Sequence, residues 1–403
     1  MAWCLLHPGW AMAGTDAVNV FKAVSPGIVC VRNAEGSTSG VLLNRQGLVL
    51  TTHHMMASPL PVEALIEVKL NGRSLTRSFK NVKLEKVHKT YNLAFIRVSG
   101  DLTGASPVSF TKQTPSPGAA CYAVGNTSVG RGGSLQNSIS QGLVSGGPRD
   151  IEGGVYIQTS APFYQGHPGG ALCGRDGKAF GVMAFTMSEK EGLAFAIPWN
   201  GLKTGDFVPP DQRADDLERV EVLRNAMTEL HKEASDLPYF ERQVMYRYAL
   251  ELSRLTLSLA PRNITLLYDV ASAHLDLKQY AEATAYANYL NRISPDNVSA
   301  YYMLGQCAER EGRKKEAWDY YYKGIQCRDP YIERHVSLCA EKLAFLIAGS
   351  DRYEEIVYFL KWADLLPRTS SHPLTGKRKE AFRLAYRRLS PAKQAFISKK
   401  TSD

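Results

Sequence analysis

From Val18 to Pro198 the apolar residues fall in short runs broken by turn-forming residues. Gly27–Val31, Gly40–Leu43, Gly47–Leu50, Ile66–Leu70, Leu93–Val98 and Gly181–Phe185 are runs of this kind. Short runs bounded by turn signals predict strands. Asn71-Gly72 closes one of them and predicts a tight hairpin, because a type I′ turn needs positive φ at both central positions. Many such strands in series predict an all-β sandwich or barrel. The pattern changes after Pro198. Asp206–Asp211, with its Pro209-Pro210 pair, predicts a linker. Beyond it, Asp215–Glu233 and Tyr239–Leu259 carry apolar residues at helical spacing and predict two amphipathic helices. The expected division is an N-terminal extension over 1–17, a β domain over 18–203, a linker over 204–214, helical repeats over 215–375 and a basic capping helix or tail over 376–403.

Pro261-Arg-Asn263 returns as Pro295-Asp-Asn297, a spacing of 34 residues. That period resembles the tetratricopeptide repeat, two packed helices per unit. Tyr301, Leu304, Gly305, Ala308, Ala317 and Tyr321 fall on the repeat's consensus positions, and Leu267, Ala271, Ala283 and Leu290 answer them one unit earlier. The small Gly305 and Ala317 allow close helix approach, and Tyr301 and Tyr321 are expected to fill the space between. Leu338–Leu366 reads as a degenerate third unit. Asn263 and Asn297 sit at helix starts and are expected to cap them rather than carry glycans. In the run Tyr320–Tyr322, helical spacing favours core filling over a ligand platform.

Composition alters this picture little. Apolar residues are 44% and charged residues 22% of the 403, ordinary for a globular chain, and no apolar run approaches the ~20 residues of a spanning helix. The net charge of +9 is concentrated in the tail. Ten basic residues from Arg368 to Lys400 face Glu380 and Asp403 there, so charge gives no reason to expect a nucleic-acid partner. The tail predicts a polar-faced cap, with contact to an acidic partner or anionic lipid surface as the sharper alternative. The seven cysteines form no CxxC, and no cofactor or metal motif stands out. Met1–Ala13 ends in an A-x-A pattern but lacks a basic start. A truncated export signal and a simple extension both remain open, with export to the periplasm or outside the cell as the expectation.

Five motifs in the β region carry a resemblance. Ser37–Leu43 followed by Gly47–Met56 resembles the strand and histidine motif of trypsin-like proteases of the HtrA/Deg type. Thr90–Ile96 is similar to their aspartate segment, and Gly125-Asn126 with Ser140–Ser145 to the stretch that follows. Gln158–Ala161 with Gly166–Leu172 is similar to the serine segment, and Gly192–Pro198 to the closing strand. The resemblance implies an all-β trypsin-like double β-barrel, here followed by an all-α tetratricopeptide-type helical solenoid where the family usually continues into a PDZ domain. It places His54 at the histidine position, Asn92 at the aspartate position and Pro168 at the serine position. Gly166 and His167 would form the oxyanion loop, and Ala184, Phe185, Thr186 and Met187 the strand on which an extended peptide pairs.

Each departure bears on chemistry. Such a triad needs a carboxylate to orient and stabilise the imidazolium, and asparagine in its place costs about 10⁴ in turnover. Proline has no hydroxyl to attack a carbonyl and no N–H for an oxyanion hole, where one lost donor costs about 10²–10³. The residues therefore predict a catalytically inactive domain that binds a protein or peptide partner, without cofactor. Alternatives are an endopeptidase with a nucleophile relocated to Thr159, Ser160 or Cys173, and a holdase acting through the repeats. His53, His54 and His167 converging on a metal is a weaker reading, because no neighbouring carboxylate or cysteine completes the ligand set.

Overall fold

The computed structural model describes residues 9–128, 134–151, 153–188, 193–235, 237–327, 333–347 and scattered positions from 352 to 394, with side chains from residue 16. The chain divides into two compact units, residues 1–219 with 258–260, and 220–257 with 261–403.

The first described element is a helix, α1 (Gly9–Val24), which crosses the boundary expected between the extension and the β domain. Val20 and Val24 are fully buried among Tyr122, Val124 and Val182, so apolar docking holds its second half. Eight strands then build an open sheet: β1 (Ile28–Asn33), β2 (Gly36–Leu42), β3 (Leu48–Thr52), β4 (Glu63–Leu70), β5 (Arg73–Phe79), β6 (Val82–His88), β7 (Leu93–Val98) and β14 (Phe207–Val208). A five-residue helix, α2 (His53–Ala57), follows β3. The spatial order is β14-β6-β7-β3-β2-β1-β4-β5. Six more strands close a barrel in the order β10-β13-β12-β11-β8-β9. They are β8 (Ala120–Ser128), β9 (Ser134–Ile151), β10 (Gly154–Thr159), β11 (Ala171–Cys173), β12 (Ala179–Ser188) and β13 (Leu193–Pro198). Of the two barrels expected, one closes and the other stays an open sheet among the described residues.

Two further differences from the sequence reading have local causes. Asn71-Gly72 does turn the β4–β5 hairpin, with φ of 50° and 75°. The supposed linker, however, contributes β14. Phe207 is 4% exposed, stacks on Phe95 at 4.0 Å and pairs with His88. Two prolines signalled an interruption, but the aromatic residue before them buries enough apolar area to join the sheet.

In the second unit α3 (Leu217–Ser235) and α4 (Tyr239–Leu259) are followed by α5 (Ile264–Asp276), α6 (Tyr280–Ile293), α7 (Val298–Arg310), α8 (Lys314–Gln326) and α9 (Glu333–Leu346). From α5 each helix packs on the next, and α5, α7 and α9 lie side by side. The starts of α7 and α8 each follow those of α5 and α6 by 34 residues. The boundaries repeat as well. Asn263 and Asn297 accept hydrogen bonds from the N–H groups of Leu266 and Ala300 at 3.1 and 3.2 Å. Lys278 and Gly312 end their helices at φ of 59° and 77°, the left-handed residue that commonly stops a helix.

Leu267, Ala271, Ala283, Leu304, Gly305, Ala317 and Tyr321 are all buried. A side chain on Gly305 would meet the Tyr321 ring at 2.3 Å, so glycine is what admits that ring. Tyr301 differs from expectation. It is half-buried beside Gly324, while Tyr302 takes the buried place one position on. The third unit is described through α9 and at a few positions beyond; most of Leu338–Leu366 past it and most of the basic tail lie outside the described residues.

Candidate functional site

Strand β3 ends in Thr51-Thr52, and the chain turns directly into His53-His54 at the head of α2. Facing them, the turn between β6 and β7 carries Asn92. His88 shapes that turn by accepting hydrogen bonds at Nδ1 from the N–H groups of both Thr90 and Tyr91, each at 3.0 Å. Burial holds His88 at about 4, neutral and able to accept both bonds at physiological pH.

Asn92 and the two histidines are bound together. The Asn92 backbone carbonyl accepts from the His53 N–H at 3.2 Å, and its side-chain oxygen accepts from the His54 N–H at 2.9 Å. A backbone N–H can only donate, so this bond fixes which end of the amide is oxygen. The NH₂ end then lies 2.8 Å from His54 Nδ1 and must donate to it. Nδ1 therefore holds a lone pair, and the neutral ring carries its proton on Nε2. A triad histidine needs the opposite tautomer, with Nδ1–H held by a carboxylate and Nε2 open to take a proton. Here Nε2 offers a donor where the reaction wants a base.

His53 is 3% exposed and receives a hydrogen bond at Nδ1 from Arg213 Nη1 at 2.8 Å. Burial, then the Arg213 charge, lower it to about 3. Arg213 was not foreseen, because nothing in the local pattern links a position so far along the chain to the histidines.

The loop bearing Pro168 is seated on β2. The Pro168 carbonyl accepts from the Ser39 N–H at 3.0 Å and from the Thr38 hydroxyl at 2.8 Å. The Ser39 hydroxyl donates to the Gly166 carbonyl and accepts from the Asn126 N–H, both at 2.7 Å. Thr51 and Thr52 extend the polar seam, bonding to the Ser39 carbonyl and the Thr38 hydroxyl. Gly169 sits at φ 87° with its absent side chain pointing 2.1 Å from the Ser39 carbonyl, so only glycine passes here. The same position would lie 3.4 Å from the Thr52 N–H, next to His53. The fold thus brings the proline loop to the end of the strand that leads into the histidines. At that place Pro168 offers a ring and a carbonyl, neither nucleophile nor donor.

His167, beside it, is fully buried. Its Nε2 lies 3.2 Å from the Thr127 hydroxyl, its Nδ1 has no hydrogen-bond partner, and burial lowers it to about 4. Among the described residues no group of three or more histidine, cysteine or acidic side chains could hold a metal.

The alternative nucleophiles are committed elsewhere. The Thr159 hydroxyl donates to the Leu143 carbonyl and lies 3.0 Å from the Cys121 sulfur; the Ser160 hydroxyl accepts from the Leu143 N–H. Cys173 is fully buried and its thiol is pushed far up by desolvation, the reverse of what a thiolate nucleophile requires. Along β12, Ala184, Phe185 and Thr186 are half-buried. Beyond Met183 that strand pairs with β13 alone among the described residues, since β11 starts at Ala171, opposite Val182. Phe185 packs edge-on to Tyr156 at 5.1 Å, and Tyr156 to Tyr91 at 5.5 Å. This aromatic row runs from the strand toward the turn of Asn92.

Residues 38–182 match the family described as trypsin-like peptidase domain. The chain is 26% identical over 205 residues to the serine endoprotease DegS of Haemophilus influenzae, covering 45% of this chain and 56% of that protein. The N-terminal unit resembles a trypsin-like peptidase domain of the HtrA/Deg type. Serine protease HTRA3 of Homo sapiens is 29% identical over 180 residues, 40% of this chain and 35% of that one. The putative serine protease HhoB of Synechocystis is 27% identical over 171 residues, 41% and 38%. The chain spans about a third to just over half the length of these relatives. Among solved structures, that of Deg5 covers 48% of this chain and 91% of its own at 24% identity, with a TM-score of 0.39. No described helix is long and apolar enough to cross a membrane.

Proposed function

We propose that this chain is a pseudoprotease, an HtrA-type domain that has lost peptide hydrolysis and is joined to tetratricopeptide repeats, acting as a scaffold for protein or peptide partners. One observation carries the reading. Proline stands at the serine position, its carbonyl tied into β2, while Asn92 donates to His54 Nδ1. On this reading nucleophile, one oxyanion donor and general base are missing together, and the likeness to serine proteases is one of scaffold. The free length of β12 supports retained binding, because strand addition uses backbone groups and side-chain pockets and needs no nucleophile. The repeat reading is supported by the 34-residue recurrence of helices, asparagine caps and left-handed stops.

The test is incubation of the chain with a self-quenched, unfolded protein substrate, followed by size-exclusion chromatography. The expected outcome is no gain of fluorescence and co-elution of intact substrate. Steady turnover abolished by His54→Ala would overturn the reading.

A further inference from the structure

The helical unit contains a half-open cavity of about 590 Å³ lined by α5, α7 and α9, in the size range of sites that take a ligand or a short peptide segment. Two of its aromatic residues, on α5 and α7, stand one 34-residue period apart, and a histidine of α9 joins them. Tyr268, Tyr302 and His335 line it, with the His335 ring 4.9 Å from the first tyrosine and 5.3 Å from the second. Both ring nitrogens of His335 are engaged, Nδ1 with the Ser299 hydroxyl at 2.9 Å and Nε2 with the Tyr268 hydroxyl at 3.1 Å. The rings are therefore fixed before any ligand arrives.

The charged lining is uneven. Lys342 pairs with Glu309 at 2.8 Å, one charge of each sign, and Glu309 also accepts from the Tyr321 hydroxyl. The other charged side chains of the cavity are two carboxylates, Asp276 and Glu341, and one guanidinium, Arg310. Glu341 is 3% exposed, and a carboxylate withdrawn that far from water is stabilised by any cation brought beside it. Tyrosine faces attract cations too. An anion entering the cavity would meet both carboxylates.

We infer that this cavity takes the basic side chain, lysine or arginine, of an extended peptide, with the ammonium or guanidinium directed to Glu341 and Asp276. The inference rests on the scaffold reading and gives it a ligand chemistry. It also runs against the chain's own sign. At a net charge of +9, long-range attraction favours acidic peptides, so a preference for basic ones has to come from the local lining.

The test uses the full chain and two short labelled peptides, one alternating lysine with serine and one alternating glutamate with serine, read by fluorescence anisotropy. The lysine peptide is expected to bind about tenfold more tightly, a step that one well-placed charge pair can supply. Asp276→Lys, at an exposed position, should weaken it by about as much, and Glu341→Gln should do likewise with an unchanged circular dichroism spectrum. Asp211→Lys, the same charge change on the other unit, should leave the affinity unaltered. Equal or tighter binding of the glutamate peptide, no binding of either, or an Asp276→Lys variant with unchanged affinity would overturn the inference. Hydrolysis of the lysine peptide would instead sink the scaffold reading and leave the cavity's preference standing.

Discussion

In the β unit the loop around Pro168 is held by the Thr38 and Ser39 hydroxyls and the Ser39 N–H; in the helical unit the Tyr321 ring is admitted by the absence of a side chain at Gly305. The first arrangement depends on individual residues at irregular places. The second repeats, so one position predicts its equivalent a period later. On the proposed reading, function is therefore lost by different routes: one substitution at a loop position would silence chemistry while the surrounding strands stay paired, whereas a repeated surface would change by degrees.

The sharpest way to break this contrast is Tyr321→Ala. Removing a fully buried ring whose hydroxyl bonds Glu309 should cost about 3–5 kcal/mol. Chemical denaturation followed by circular dichroism at a helical wavelength should show the loss. A cost under about 1 kcal/mol would mean that the helices collapse around the gap.

Next in size is acid sensitivity of the β unit. His53, His88 and His167 have folded pKa values of about 3, 4 and 4, below the unfolded value near 6.5. The unfolded chain therefore binds more protons than the folded one once the pH falls below that value. Stability from these groups is present above about pH 6.5 and is lost progressively as the pH falls toward 4. Thermal unfolding followed through the pH range should show the decline, and His53→Gln should make it shallower. A flat profile down to pH 4 would show that these rings are hydrated in the fold.

Ser39→Ala probes the seam directly. It orphans the Asn126 N–H and the Gly166 carbonyl, both buried, at about 1–3 kcal/mol. Hydrogen exchange should quicken at Asn126 while the helical unit is unchanged.

The smallest effect on stability and the most local one belongs to Asn92→Asp. Either carboxylate oxygen can accept from the His54 N–H, and the other then draws the proton onto Nδ1. Nitrogen-15 chemical shifts of the imidazole should report that change of tautomer, with stability altered by about 1 kcal/mol or less. Hydrolysis should stay absent, because Pro168 is untouched.

How far the sequence revealed this follows from the same contrast. Strand runs, the Asn71-Gly72 hairpin and the 34-residue period were legible because each is a local pattern with a local physical cause. The family motifs brought His54, Asn92 and Pro168 into view as individual residues. What stayed hidden was tertiary. Arg213 behind His53, Ser39 beneath the proline loop and the docking of α1 depend on partners distant in the chain, which no spacing encodes. Phe207 was missed because two prolines spoke louder than one aromatic residue, and Tyr302 because Tyr301 stood on the expected position.

The central claim is that Pro168, with Asn92 behind His54, leaves this site unable to form a covalent acyl-type adduct. Intact-mass spectrometry after prolonged exposure to a fluorophosphonate tests it most directly. The predicted spectrum shows the unmodified chain at all times. A stoichiometric adduct on a hydroxyl or thiol, lost in His54→Ala, would contradict the claim.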